Sequence, residues 1–558
     1  MPNFKKLDYQ VELAEKIVRS LDKNDIAICA IPCGYGKTGI AYWLHKLYGK
    51  RSIILNHNRI LVDQYDELYH DIDDIGCVKG KSNYLCPLDT FAPSVEFAPC
   101  QYHRFNCFKR AHDQCEYFNL RKKFDKSSLG ITNYQMLLSL LEADAYSREN
   151  NALLICDECH NLDAILCDYK TVRINESFLE SISRLVEYIS EFNDLALIED
   201  SNRLLEFITE VFYSINENNY HKNIDELFTN IMILISMGER LIKRYEEEDS
   251  VKSRVKNSLL KIAETIAVID RVRLKYIKYL EDIENEIEYV YQEVKINGKA
   301  SYTLTPVYVG NYFNQILSQV CEKAVLMSGT VINQENLKRT LGIDKKKTAY
   351  FDIPSLYDKE NRPILFCNTA GLNKNNSVQG SREFNLIINE MKTIIEHHTK
   401  KNESGVVFIP SYALGASIRE SLEEFLKKLK IQVFSNSSAE DSAEILDQFC
   451  HSKKKKRILI SPSFEEGVNF NDDISRYQII VKTPYLYLGD KRVKAKMERD
   501  KDWYETATMT RIIQSSARSV RNKKDYATTY ILDTNSYRLY NKMKNYCPQW
   551  FNEAVVEM

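Results

Sequence analysis

Short apolar runs alternate with amphipathic stretches over the first part of the chain, disappear between about Asn175 and Ile296, and return after Ala324–Met327. Ile26–Ile31 reads as a strand flowing into a glycine-rich loop, and Gly39–Tyr48 as the helix that follows it. Arg51–Asn56 is expected as a second strand and Leu153–Cys156 as a third, ending directly at Asp157. Strands alternating with helices predict a parallel sheet with its site at the strands' C-terminal ends, where both the loop and Asp157 fall. The middle segment has no proline, almost no glycine and long 3.6-period stretches such as Leu259–Leu280, so it predicts an inserted helical domain. That domain serves either as a spacer or as a substrate-contacting element. In the second alternating half, strands are expected at Val406–Ile409, Gln432–Phe434, Ile458–Ser461, Gln478–Lys482 and Thr529–Leu532.

A chain of 558 residues has room for three or four domains, each with its own core. A net charge of −2 gives no global argument for nucleic acid, so any basic surface must be local. The N-terminus lacks the apolar core of a signal peptide. No apolar stretch approaches the roughly 20 residues of a membrane span, and no membrane association is expected. The expected compartment is the reducing cytoplasm, with nucleoid association if the host is a cell. Clustered cysteines there favour metal or catalysis over disulfides. Five of the fourteen cysteines lie between Cys77 and Cys115.

The loop Pro32-Cys33-Gly34-Tyr35-Gly36-Lys37-Thr38 sits between strand and helix, where backbone N–H groups and the helix N-terminus favour a phosphate. Lys37 would reach the β and γ phosphates, and Thr38 would offer its hydroxyl to Mg²⁺. Ile31 stands where the strict phosphate-loop pattern has its leading glycine. Asp157 is placed to hold the Mg²⁺ shell, and Glu158 to orient and deprotonate the attacking water. Gln514–Arg521 carries Arg518 and Arg521 three residues apart, expected on one helix face, where they could stabilise transition-state charge from a separate domain. Cys86, Cys100, Cys107 and Cys115 would make a four-thiolate shell suited to either a 4Fe–4S cluster or structural zinc; no gap among these four is as short as C-x2–4-C, which leans toward iron–sulfur.

The ordered set Gly34–Thr38, Asp157–His160, Ser328–Thr330, Glu466–Asn469 and Gln514–Arg521 resembles the motifs of superfamily 2 helicases. Within these it is similar to the XPD/DinG branch, on Lys79–Pro87, Met327–Thr330, Gly405–Tyr412 and Asp533. The resemblance covers nearly the whole chain. It implies an α/β fold of two RecA-like motor domains, with an iron–sulfur domain and a helical arch domain inserted in the first. The implied boundaries are 1–78, 120–172 and 300–348 for motor domain 1, 79–119 for the iron–sulfur domain, 173–299 for the arch and 349–558 for motor domain 2. It implies ATP recognition by Tyr9, Gln10, Gly34, Tyr35, Gly36, Lys37, Thr38 and Gln514, and catalysis by Lys37, Asp157, Glu158, Arg518 and Arg521. The 4Fe–4S ligands it implies are Cys86, Cys100, Cys107 and Cys115, with Cys77 a buried spare. Cys29, Cys33, Cys156, Cys159 and Cys167 are expected to pack as small apolar groups. The chain departs from the branch at Cys159, where alanine is common, at Ala517, where glycine is usual, and at Asn469, which keeps hydrogen bonding but loses an aspartate's charge.

Arg59 and Gln64 are implied to touch the DNA backbone. Tyr84, Tyr102 and Arg104 belong to an aromatic and basic stretch suited to a single-strand groove, where each stacked base contributes roughly 1–3 kcal/mol; its rings either stack on bases or pack the small domain. The expected function is an ATP-dependent DNA helicase with the branch's 5′-to-3′ polarity, a monomer acting on single-stranded and forked DNA in repair, recombination or replication. The alternatives are a translocase that strips bound proteins without unwinding, and a nucleotide-gated DNA-binding module.

Overall fold

The computed structural model of the chain describes residues 7–57, 59–69, 72–87, 94–98, 114–143, 152–246, 253–296, 298–462 and 468–556. Two seven-stranded parallel sheets carry the architecture. The first runs, in spatial order, Thr348–Asp352, Ile26–Ala30, Lys323–Ser328, Leu153–Cys156, Ser52–Asn56, Leu129–Asn133, Ile75–Cys77. The second runs Gln432–Ser435, Arg457–Ser461, Gly405–Phe408, Tyr477–Ile480, Thr528–Asp533, Ile364–Ala370, Val555–Val556. Central strands such as Ile26–Ala30 and Leu153–Cys156 are buried along their whole length, which is why they read as unbroken apolar runs rather than alternating ones. These are the expected two RecA-like sheets.

The register puts the chemistry at the C-terminal ends of three adjacent interior strands of the first sheet. Ala30 pairs with Ser328, and Cys156 lies beside Leu326, so the glycine loop, the Ser328–Thr330 turn and Asp157 leave adjacent strand ends. The chain departs from this sheet after Cys77 and returns at Leu129, spanning the cysteine-rich stretch. It departs again after Leu153–Cys156 and returns at Lys323.

The second excursion contains helices Glu176–Ser190, Leu195–Ser214, Tyr220–Glu246 and Ser253–Glu284 around their own core, including Ile182, Leu185, Phe212, Leu234 and Ile269. Asn175 and Asp194 start the first two helices by accepting the N–H of Phe178 and Leu197. The helical expectation stops short at Tyr289. Tyr289–Ile296 and Lys299–Pro306 form an antiparallel hairpin, and Val172–Asn175 adds a third strand. Its aromatic and β-branched residues favour a pleated, half-buried ribbon over another helical turn. The expected iron–sulfur ligands Cys100 and Cys107, together with Tyr102 and Arg104, lie outside the described residues, as do Glu466 and Gly467.

Several contacts tie the two sheets. Trp550 donates its indole N–H to the Gly329 carbonyl (3.0 Å), and Arg339 meets Asp500 at 2.8 Å. Among the described residues no helix is long and apolar enough to cross a membrane.

Candidate nucleotide site

The phosphate loop turns through two left-handed glycines, Gly34 at φ +80° and Gly36 at φ +83°, and the helix Lys37–Tyr48 begins immediately after. Gln10, from the helix Asp8–Ser20, seats its amide on this loop and donates Nε2 to the carbonyls of Tyr35 (3.0 Å) and Gly36 (3.3 Å). Its Oε1 is buried with no hydrogen-bond partner among the described residues, an acceptor available to an exocyclic amine such as that of adenine. Tyr9 packs edge-on to Tyr35 with ring centroids 5.0 Å apart.

Lys37 Nζ lies 2.9 Å from Glu158 Oε1. Glu158 itself adopts the left-handed region at φ 49°, a costly conformation for a residue with a β-carbon, and its N–H is accepted by Asp157 Oδ1 (3.0 Å). Burial pushes the Asp157 carboxyl up, with Lys37 opposing. At Glu158, which is only partly buried, Lys37 outweighs the desolvation and holds the carboxyl well below the usual carboxylate range. Two neighbouring carboxylates are thus driven apart by one ammonium.

From Glu158 a hydrogen-bonded relay reaches the second sheet. Ser328 Oγ–H donates to Glu158 Oε2 (3.3 Å) and accepts from His160 Nδ1–H (2.7 Å) and from the Thr330 N–H (3.1 Å). With that tautomer, His160 Nε2 is the acceptor for the Gln514 amide at 2.6 Å. His160 and Ser328 were motif positions in the sequence; their bond, spanning 168 residues of chain, carried no local signal.

Arg518 and Arg521 depart from expectation. The helix Lys501–Ser516 ends at Ala517, so the two arginines follow it on a turn and share no helix face. Ser515 and Ser516 bond back to the carbonyls of Arg511 and Ile513, and Arg518 Nε caps the Gln514 carbonyl (3.0 Å), which together close the helix. Cys33 is only partly buried, unlike the other cysteines expected to pack. Burial pushes its thiol up, but Arg521, Lys37 and Arg518 outweigh that and pull it below its ordinary value. Lys37 on the loop, with Arg518 and Arg521 beside it, marks a seat for a polyanion. Cys29, Cys77, Cys156, Cys159 and Cys167 are buried, as expected of packing residues.

Elsewhere the expected residues divide. Gln64 is exposed on the helix Arg59–Tyr69, which Arg59 begins. Tyr84 is 4% exposed, accepts the Lys79 N–H (2.9 Å) and packs against Tyr117, so its ring builds the small subdomain instead of facing solvent. Cys86 and Cys115 are buried and form no disulfide among the described residues. Among the described residues no three metal-ligating side chains come together, since half of the expected four-thiolate set lies outside them.

The chain matches the Helicase C-terminal domain family over residues 394–554 and the family described as type III restriction enzyme, res subunit, over residues 3–197. It is 22% identical to the ATP-dependent DNA helicase YoaA of Escherichia coli K12, over 89% of this chain and 85% of that one. It is 20% identical to the ATP-dependent DNA helicase CHL1 of Debaryomyces hansenii, over 75% of this chain and 57% of that one. The chain therefore spans little more than half the length of that relative. Among solved structures, an XPD helicase superposes with a TM-score of 0.61 at 16% identity, covering 99% of this chain and 100% of that one. Xpd4 of S. tokodaii superposes at 0.57 with 15% identity, covering 96% and 98%.

Proposed function

We propose that this chain, an XPD/DinG-like member of superfamily 2, is an ATP-dependent DNA helicase that moves 5′ to 3′ on single strands and unwinds forked duplexes in repair, recombination or replication. The observation that carries the reading is the relay from Lys37 through Glu158, Ser328 and His160 to Gln514. It joins the phosphate loop of one sheet to the arginine-bearing segment of the other, the linkage a motor needs to turn hydrolysis into relative movement.

In this reading the loop N–H groups and the start of the helix Lys37–Tyr48 seat the ATP phosphates, and Lys37 exchanges Glu158 for them. Thr38 and Asp157 would hold Mg²⁺, whose charge offsets that of the β and γ oxygens. Glu158, released from Lys37, takes the proton of the attacking water, and Arg518 and Arg521 meet the charge that develops on the transferred phosphoryl group. Gln10 fixes the base. Single-stranded DNA would run past Arg59 and Gln64 and over Tyr102 and Arg104.

Hydrolysis should be low without DNA and rise at least about tenfold with single strands. Unwinding should appear on a fork with a 5′ tail and be absent on one with only a 3′ tail. Hydrolysis without unwinding of either fork would favour a translocase that strips proteins. Binding without hydrolysis would favour the nucleotide-gated module.

The cysteines extend the proposal. Cys86 and Cys115, both buried, suit half of a thiolate shell that Cys100 and Cys107 would complete for a 4Fe–4S cluster bracing the small subdomain. Anaerobically purified protein should carry about four irons and four acid-labile sulfides per chain, lost in Cys115→Ser. Zinc in their place would discard the cluster and leave the motor reading intact.

A further inference from the structure

The segment between the two sheets brings Tyr357 back across the nucleotide site. A β-carbon built on Gly34 would meet the Tyr357 hydroxyl oxygen at 1.8 Å and its ring carbons at 2.6 and 2.8 Å, so the phenol lies directly on the phosphate loop. Glycine at 34 is required twice over, for its positive φ and for this close approach. The same hydroxyl donates to the Arg521 carbonyl at 2.7 Å. Tyr357 is itself anchored, its N–H to Ser355 Oγ (3.1 Å) and its carbonyl to Arg362 Nε (3.2 Å).

Arg521 is held from both sides of its backbone. Its carbonyl takes the Tyr357 hydroxyl, and its N–H goes to Asp525 Oδ2 (3.0 Å), a fully buried carboxylate that also pairs with Arg476 at 2.7 Å. Its side chain is left differently: Nε is buried without a hydrogen-bond partner among the described residues. Arg518 contrasts with it, since Arg518 Nε is already committed to the Gln514 carbonyl. The carbonyls of both arginines are held, Arg518 by the Phe470 N–H, but Arg521 is the one with a buried Nε donor left over among the described residues.

We propose that Tyr357 is a positioning residue, tying the phosphate loop to the backbone of Arg521 so that this guanidinium is set against the phosphates. One side chain spans both motor halves, touching Gly34 with its ring and Arg521 with its hydroxyl. A shift of the loop around bound phosphate therefore carries Arg521 with it. The inference rests on the ATP-hydrolysing reading above and adds to it a route by which the loop's state reaches the second sheet.

The test is Tyr357→Phe in the full chain, which removes the hydroxyl and keeps the ring on Gly34. Losing one neutral hydrogen bond should lower DNA-stimulated kcat about fivefold. The KM for ATP and the affinity for a fluorescent ATP analogue should change less than twofold. In an Arg521→Ala background, followed by single turnovers, Tyr357→Phe should cost nothing further, because no guanidinium remains to be placed. An equal loss in both backgrounds, a loss confined to KM, or an unchanged kcat would overturn the proposal. A wild-type chain that does not hydrolyse ATP would overturn the enzymatic reading and this inference together, whereas an active wild type unaffected by Tyr357→Phe overturns this inference alone.

Discussion

Replacing Lys37 by alanine should lower the kcat/KM of DNA-stimulated ATP hydrolysis about a thousandfold, equivalent to about 4 kcal/mol of transition-state stabilisation. Two losses combine. The variant has no cation for the β and γ phosphates, and it also leaves Asp157 and Glu158 as neighbouring carboxylates without the ammonium that now lies 2.9 Å from Glu158. Without Lys37, which lowers both carboxyls, the pair should take up a proton at higher pH, and Glu158 would become a poorer base even where ATP still binds. Glu158→Gln separates the two contributions. It should bind ATP as tightly as wild type or tighter, because Lys37 no longer has to leave a carboxylate, while hydrolysis collapses. A Lys37→Ala rate within about tenfold of wild type would show that the glycine loop is not the motor's phosphate seat.

What the sequence made legible was local. The strands at Ile26, Leu153, Val406, Ile458 and Gln478 were readable because a strand buried on both faces must be apolar throughout, and the loop and Asp157 were readable because each follows such a run. The hairpin Tyr289–Pro306 was missed, although its aromatic and β-branched content and the Asn297-Gly298 dipeptide are strand and turn signals. A long helical context suppressed them. Arg518 and Arg521 were expected on one helix face and instead follow the helix, because its termination at Ala517 is decided by serine back-bonding and the local bond of Arg518 to the Gln514 carbonyl. Tyr84 carried the composition of a stacking platform, yet its ring packs with Val95 and Cys115 in the core of a small subdomain. The bonds that join the two halves, His160 to Gln514 and Tyr357 to Arg521, pair residues 354 and 164 positions apart, and no periodicity records such a meeting.

The largest effect on stability is expected at Asp163, which opens the helix after the Asp157–His160 box and meets the second motor half. Both its oxygens lie 2.8 Å from Lys496 Nζ, and Arg492 Nη2 is 2.8 Å from Oδ2. Lys496 is fully buried, its ammonium 4.6 Å from the Trp503 ring centroid. One carboxylate therefore compensates two desolvated cations, and the three are not equivalent. Asp163→Asn strands both cations and should cost about 3–5 kcal/mol, lowering the first thermal transition on the order of 10 °C. Lys496→Met removes a charge that burial already disfavours, leaves the Asp163–Arg492 pair, and should cost about 1 kcal/mol or nothing. The pH dependence has a definite sign. Burial raises the Asp163 carboxyl, but Lys496 and Arg492 outweigh it and hold it below its unfolded value of about 3.9. Its contribution is complete above that value and lost as pH falls through the lower folded one. The advantage of wild type over Asp163→Asn should therefore persist at pH 5 and shrink below about pH 4. Equal costs for Asp163→Asn and Lys496→Met would mean that these residues hold the two halves by packing alone, and that the charge arrangement contributes nothing to the joint.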